Sequence, residues 1–353
     1  SCGDRACRTI CLTSTMKRYS IELSNNRHQC KLCHLECILA DGGRGACRAR
    51  ECNADGVILS SYGQLTTIAV EPIEKKPIFH FSPGSKVLSV GAFGCNMDCV
   101  FCQNSDLSQS TSPYKSMSFS PAGVVQMALK KKCEGICMSF SEPTIHYEYL
   151  MDLAEKSHAS GLYFALNTNA FLQPEPWADV CEVADAINID YKGDTNILPE
   201  FTSSPESGHD AILNNLTYAI ARTHVEVSIP IFGGYTKMSL ILIRDILAEL
   251  AKDTPVHLVK LFPSHEFGGP IASDIRVLEL REFLKERLGF VYVANIPSSS
   301  SAGVNHTVCP DCGERIVTRH GLNSDTNICN CENEVISIYE SDQPTRIRGE
   351  EVE

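Results

Sequence analysis

The chain has 353 residues, 43% of them apolar and 21% charged, with a formal net charge of −12. That composition argues against a disordered chain and against basic tracts that wrap nucleic acid, so no nucleic-acid partner is expected. The absence of a long apolar run argues against a transmembrane helix and a membrane partner.

In chain order, the opening SCGDRACRTICLTSTMKRYS lacks the apolar core and cleavage site of a secretory signal. Met16-Lys17 would make a natural start, and residues 1–20 read as a disordered extension outside the folded unit. Residues 21–82 form a cysteine-rich module, in which CKLCHLEC and GACRAREC supply Cys30, Cys33, Cys37, Cys47 and Cys52. Four of these thiols (Cys30, Cys33, Cys37 and Cys47) suffice for a closed zinc site or an auxiliary iron–sulfur cluster, and spacing does not choose between them. His80, in FHF, reads as a satisfied structural histidine.

Residues 83–297 alternate strands and helices. Short apolar or β-branched runs predict strands at 87–92, 135–140, 163–169, 186–193, 225–231, 256–263 and 290–296. Between them PAGVVQMALKKK, PTIHYEYLMDLAEKSH, PEPWADVCEVAD, HDAILNNLTYAIAR, KMSLILIRDILAELA and IRVLELREFLKER carry helical patterns, three of them opening near a proline. Cys133, Cys137 and Cys181 stand singly in apolar patterns and read as buried small hydrophobes. Repeated strand–helix units demand a mostly parallel sheet. There are too few units for a full eight-fold barrel, so the expected α/β fold is an incomplete (β/α) barrel, with a doubly wound sheet as runner-up. Either puts function at the C-terminal strand ends. There fall Ser141-Glu142, Asn167-Thr168-Asn169, Asp190-Tyr191-Lys192 and Ser264-His265, while Lys260 and His265 are candidates to face a substrate.

Residues 298–353 bring a second cysteine-rich module and an acidic tail, with Cys309 and Cys312 in CPDCG and Cys329 and Cys331 in CNC. The knuckle-like CPDCG favours structural zinc, whereas CNC is tighter than usual, so zinc and an auxiliary cluster both stay open. Clustered cysteines in an unsignalled α/β chain suit metals better than disulfides, and a reducing cytosol.

The loop GCNMDCVFCQN after the first barrel strand carries Cys95, Cys99 and Cys102. Three thiolates are one fewer than a closed site uses, and on a four-iron cluster they leave one iron available. Gly94 lets the backbone approach closely.

This Cys-x3-Cys-x2-Cys loop, with Phe101 before its last cysteine, resembles the radical S-adenosylmethionine (SAM) superfamily. With CKLCHLEC, EPIEKKPIFHF, SEPTIHYEY, NTNAF, INIDYKG and CPDCGERIVTRHG, residues 20 to 335 are similar to AmmeMemoRadiSam-type proteins, relatives of the pyruvate formate-lyase activating enzymes. The resemblance implies that Cys95, Cys99 and Cys102 hold a [4Fe–4S] cluster whose open iron chelates SAM. Reductive cleavage of SAM then yields a 5′-deoxyadenosyl radical that abstracts hydrogen from a substrate. It also implies that Glu142, Asn167, Asn169, Asp190, Lys192 and Phe101 surround that cofactor. The expected partners are a small-molecule or peptide substrate and a reductant such as ferredoxin or flavodoxin. Two alternatives are a glycyl-radical-enzyme activase acting on a partner protein and a non-catalytic, zinc-stapled interaction protein. Two departures from the relatives stand out: Ala170 where they carry TNG, and IPIFGGYTK where they carry a PGxND-like turn.

Overall fold

A computed structural model of the chain describes residues 18–111, 116–297, 303–326 and 335–336. The extension at 1–17, Cys329 and Cys331 lie outside the described residues. At the N-terminus β1 (Ser20–Leu23), β2 (Arg27–Cys30) and β3 (Ile38–Ala40) form an antiparallel sheet. A hairpin of β4 (Arg50–Asn53) and β5 (Gly56–Leu59) follows. Strand β6 (Gln64–Leu65) pairs with a later strand, Met117–Ser118, which is β9.

The central sheet has eight strands. They are β7 (Thr67–Pro72), β8 (Lys86–Gly91), β10 (Gly135–Met138), β11 (Tyr163–Thr168), β12 (Ala186–Asp190), β13 (His224–Ile231), β14 (Val256–Lys260) and β15 (Val291–Ala294). All seven strands expected in residues 83–297 are present, and all are parallel; β7 adds an antiparallel edge beside β8. Their near-continuous burial reflects cover on both faces, as parallel sheets require. Across the sheet the parallel strands lie in chain order without reversal. A doubly wound sheet reverses its order at a switch point, so the incomplete barrel is the architecture found. Among the described residues, strands β7 and β15 are its two edges, and the sheet is left open between them.

The helices are α1 (Ser105–Ser108), α2 (Pro121–Lys130), α3 (Tyr147–His158), α4 (Pro174–Val183), α5 (Ile197–Thr202), α6 (Gly208–Ile220), α7 (Met238–Leu250) and α8 (Asp274–Lys285). Ser120 caps α2 by accepting from the Gly123 N–H, and Ser273 caps α8 by accepting from that of Arg276. Cys133, Cys137 and Cys181 are buried. No helix among the described residues is long and apolar enough to cross a membrane.

Beneath the barrel, Glu226 of β13 accepts from the Phe79 and His80 N–H groups (2.7 Å each) and from Nε2 of His224 (3.0 Å) and His257 (2.6 Å). Burial opposes its charge, but the two imidazoles outweigh this and hold it well below the usual carboxylate range. His80 Nε2 accepts from the Tyr292 hydroxyl (2.5 Å) while Nδ1 donates to the Val335 carbonyl (2.9 Å). Burial keeps this imidazole neutral, its pKa lowered to about 3. Arg319 donates to the Phe79 carbonyl at 2.6 Å and so ties in the C-terminal ribbon of β16 (Thr307–Val308), β17 (Arg315–His320) and β18 (Asn323–Thr326). Cys309 is buried and Cys312 exposed in the knuckle turn, where the Gly313 N–H donates to the Cys309 carbonyl.

Candidate active site

The loop after β8 begins with Gly94 at φ +85°, where a Cβ would stand 2.3 Å from the Cys47 carbonyl oxygen. Only glycine takes this conformation and this approach without strain. The loop is then fixed from three sides. Arg48 of the N-terminal module pairs with Asp98 at 2.6 Å. The Asp98 and Val100 N–H groups donate to the Thr202 and Phe201 carbonyls of α5. After β14, the Glu266 N–H donates to the Val100 carbonyl and Ser264 Oγ to that of Phe101.

At the top of β10, Glu142 is 3% exposed and its carboxylate is almost saturated. Oε1 accepts from the Thr144 N–H (3.1 Å), Thr144 Oγ1 (2.6 Å) and Thr168 Oγ1 (2.6 Å), and Oε2 accepts from the Asn169 N–H (2.8 Å). The side chain therefore latches the end of β10 to that of β11 and leaves one acceptor direction on Oε2. Burial raises its pKa against these bonds. Asn169 Nδ2 reaches Asn96 Oδ1 at 2.8 Å and Cys95 Sγ at 3.8 Å, which joins the β11 end to the cysteine loop. Ala170 takes φ +55°, so the turn keeps the left-handed form of a glycine despite its methyl group. At the end of β12, Lys192 Nζ donates to Asp190 Oδ2 at 2.9 Å. Burial opposes the Lys192 charge, but Asp190 and the neighbouring Cys99 and Cys95 outweigh it and raise the pKa.

These elements enclose one cavity of about 270 Å³. Cys95, Cys99 and Cys102 line it together with Phe101, Glu142, Asn167, Asn169, Asp190 and Lys192, so every residue expected around the cofactor opens on the same space. The donor set fits an iron–sulfur cluster. Burial pushes the Cys99 thiol up to about 12 and that of Cys95 well above its ordinary value, and a bound cationic metal would favour their thiolate forms. The Met97 N–H at 3.4 Å from Cys95 Sγ and the Lys192 cation would stabilise coordinated sulfur. Ser228 Oγ on β13 lines the cavity, is buried and has no partner among the described residues, which fits a polar cofactor beside the cluster.

Ser228, Thr168 and Ser108 had not been singled out as cofactor neighbours; the visible signal for Ser228 was a lone hydroxyl in the apolar strand VEVSIPI. Lys260 and His265 do not line the cavity. Strand alternation turns Val259 and Leu261 toward it and Lys260 away, where Lys260 pairs with Asp274 at 2.6 Å. The Gly233 N–H donates to the Pro270 carbonyl, so the FGGYTK part of IPIFGGYTK makes a packed turn outside the cavity lining, while Pro230 at its start lines the cavity.

Residues 90–246 match the Radical SAM superfamily. The chain is 31% identical over 312 residues to uncharacterized protein MJ0808 of Methanocaldococcus jannaschii, across 86% of this chain and 91% of that protein. Over 102 residues it is 26% identical to a Haemophilus influenzae protein described provisionally as a glycyl-radical enzyme activating enzyme, 29% of this chain and 39% of that one. A solved domain of pyruvate-formate lyase-activating enzyme from Bacteroides vulgatus has 20% identity and a TM-score of 0.39, covering 46% of this chain and 99% of that domain. From the three-cysteine loop, the parallel sheet behind it, the family match and the sequence relatives, the chain belongs to the radical SAM superfamily and is an enzyme of that superfamily.

Proposed function

We propose that the enzyme abstracts hydrogen from a small molecule or peptide, using a [4Fe–4S] cluster held by Cys95, Cys99 and Cys102 and SAM held along the strand ends. The observation that carries this reading is the shared cavity of three thiols and the polar ends of β10, β11 and β12. When bound, the cluster and SAM together supply one-electron reductive cleavage to methionine and a 5′-deoxyadenosyl radical, with a ferredoxin or flavodoxin as reductant. Glu142 has one free acceptor direction for the SAM ammonium, and its other bonds fix the Oε2 position. Lys192, oriented by Asp190, offers a cation for the carboxylate, and Ser228, Asn167 and Asn169 offer polar contacts to the rest of the cofactor. Phe101, Phe140, Pro230, Val259 and Leu261 provide apolar wall that limits water beside a reactive radical. An oxygen-labile cluster suits a reducing compartment such as the cytosol.

The similarity to the Haemophilus influenzae protein supports a second reading, an activase that takes hydrogen from a glycine of a partner protein. The two differ in stoichiometry: an activase forms one deoxyadenosine per partner site, and a small-molecule enzyme forms many per chain. The test is anaerobic reconstitution with iron and sulfide, then SAM and a strong reductant, with deoxyadenosine and methionine measured by chromatography. Both products are expected, and replacing Cys95, Cys99 and Cys102 by Ala should abolish them. Iron-loaded protein that cleaves no SAM would overturn the proposal.

A further inference from the structure

We propose that Cys30, Cys33, Cys37 and Cys47 ligate a second [4Fe–4S] cluster, closed on all four irons and seated directly behind the cysteine loop of the SAM site. Convergence comes first. The Cys30 N–H donates to the Cys37 carbonyl (2.9 Å) and the Glu36 N–H to that of Cys33 (3.1 Å), which folds CKLCHLEC back on itself. The Arg48 N–H closes a second tight turn on the Gly45 carbonyl, and that turn presents Cys47. All four cysteines line a single cavity whose remaining wall is mainly apolar, including Leu32, Leu35 and Val57.

Size separates a cluster from a zinc ion. In a zinc tetrathiolate every sulfur lies about 2.3 Å from the metal, and no gap between the four admits a water molecule. The cavity beside all four cysteines measures about 10 Å³, room for the centre of a water-sized sphere, which points to the larger core of a cluster. Gly45 keeps the space open, since a Cβ there would already touch Cys47 Sγ at 3.6 Å and Cys37 Sγ at 4.0 Å.

A second observation is independent of the cysteines. Arg50, 2% exposed, lines the cavity. Its terminal nitrogens bond Glu148 (2.8 and 2.6 Å) and the Ile145 carbonyl (3.2 Å), while its buried Nε–H has no partner among the described residues. An orphaned buried donor is costly. A cluster sulfide or coordinated thiolate at this wall would accept a hydrogen bond from it, the kind of contact that tunes metal-bound sulfur. Four thiolates leave no open iron, so this centre would bind no SAM.

The test removes the other candidate sites. A variant carrying Cys95→Ala, Cys99→Ala, Cys102→Ala, Cys309→Ser and Cys312→Ser is reconstituted anaerobically with iron, sulfide and zinc together. The expected result is about four iron and four sulfide per chain, with an EPR signal after reduction that SAM leaves unchanged. Adding Cys33→Ala and Cys47→Ala should remove that iron. One zinc and no sulfide, or no bound metal, would overturn the proposal. If the multiple variant does not fold, Cys37→Ser in the otherwise intact chain replaces the half-exposed ligand, and EPR should show one altered and one unaltered cluster. Spectra identical to those of the unsubstituted enzyme would overturn it equally. SAM cleavage by the intact chain is measured separately, so the two proposals fail independently.

Discussion

Glu142→Gln separates latching from cofactor binding at one atom. If the amide oxygen takes the place of Oε1, it keeps the three donors from Thr144 and Thr168. The amide NH2 then replaces Oε2 and confronts the Asn169 N–H, which now donates at 2.8 Å. That loses one hydrogen bond to a charged group and sets two donors face to face, about 2–3 kcal/mol. Relief of a buried charge offsets part of this, because burial already raises the Glu142 pKa, and the net destabilisation should be about 1–2 kcal/mol. The opposite amide orientation sets the NH2 against the Thr144 N–H and forces both threonine hydroxyls to turn and accept, so it offers no escape. The same exchange turns the one free acceptor direction into a donor, so SAM affinity should fall by roughly tenfold or more, the equivalent of about 1.4 kcal/mol. Urea unfolding of the metal-free protein reads the first effect, and anaerobic calorimetric titration of the reconstituted protein with SAM reads the second. Unchanged stability would refute the latch; unchanged SAM affinity would refute the assignment of Oε2.

Gly94→Ala sets a Cβ against the Cys47 carbonyl in a left-handed backbone, at a cost of about 3 kcal/mol or more, and should lower both melting temperature and reconstituted iron. Ser228→Ala should weaken SAM binding about fivefold with little loss of stability, while Lys260→Ala, outside the cavity lining, should leave SAM affinity unchanged; titration checks the pair. His80 has a folded pKa of about 3 against an unfolded value near 6.5, so the unfolded state binds the extra proton between them and stability drops as pH falls through that window. By pH 5 this amounts to about 2 kcal/mol, and urea unfolding of His80→Asn should show a correspondingly shallower acid loss between pH 7.5 and 5.

The barrel strands were legible because buried parallel strands are short apolar runs with sharp polar ends, as GICMSF and YFALNTN show. The same regularity explains the site: parallel strands end at one edge, so Glu142, Asn169 and Lys192 meet although they are distant in sequence. What pattern could not show was direction within a strand end, and Lys260 looked available until alternation placed it beside Asp274. Strand β7 went unseen because its residues are mostly half-exposed, and EPIEKKP within and after it serves packing: Glu71 holds Lys76, which lies over the Phe140 ring at 4.1 Å. The short strands of the cysteine-rich module have too few residues for periodicity to register. Helix α5 was hidden by the proline in ILPEFT.

The contact between the Cys47 carbonyl and Gly94 also makes the cysteine loop depend on the module that precedes it in the chain. Residues 30–50 leave the ribosome well before the loop at 94–104, and they furnish both the surface on which Gly94 rests and the Arg48 partner of Asp98. The cysteine loop is thus moulded against chain that already exists, and metal delivered before that surface forms would meet three thiols without their scaffold.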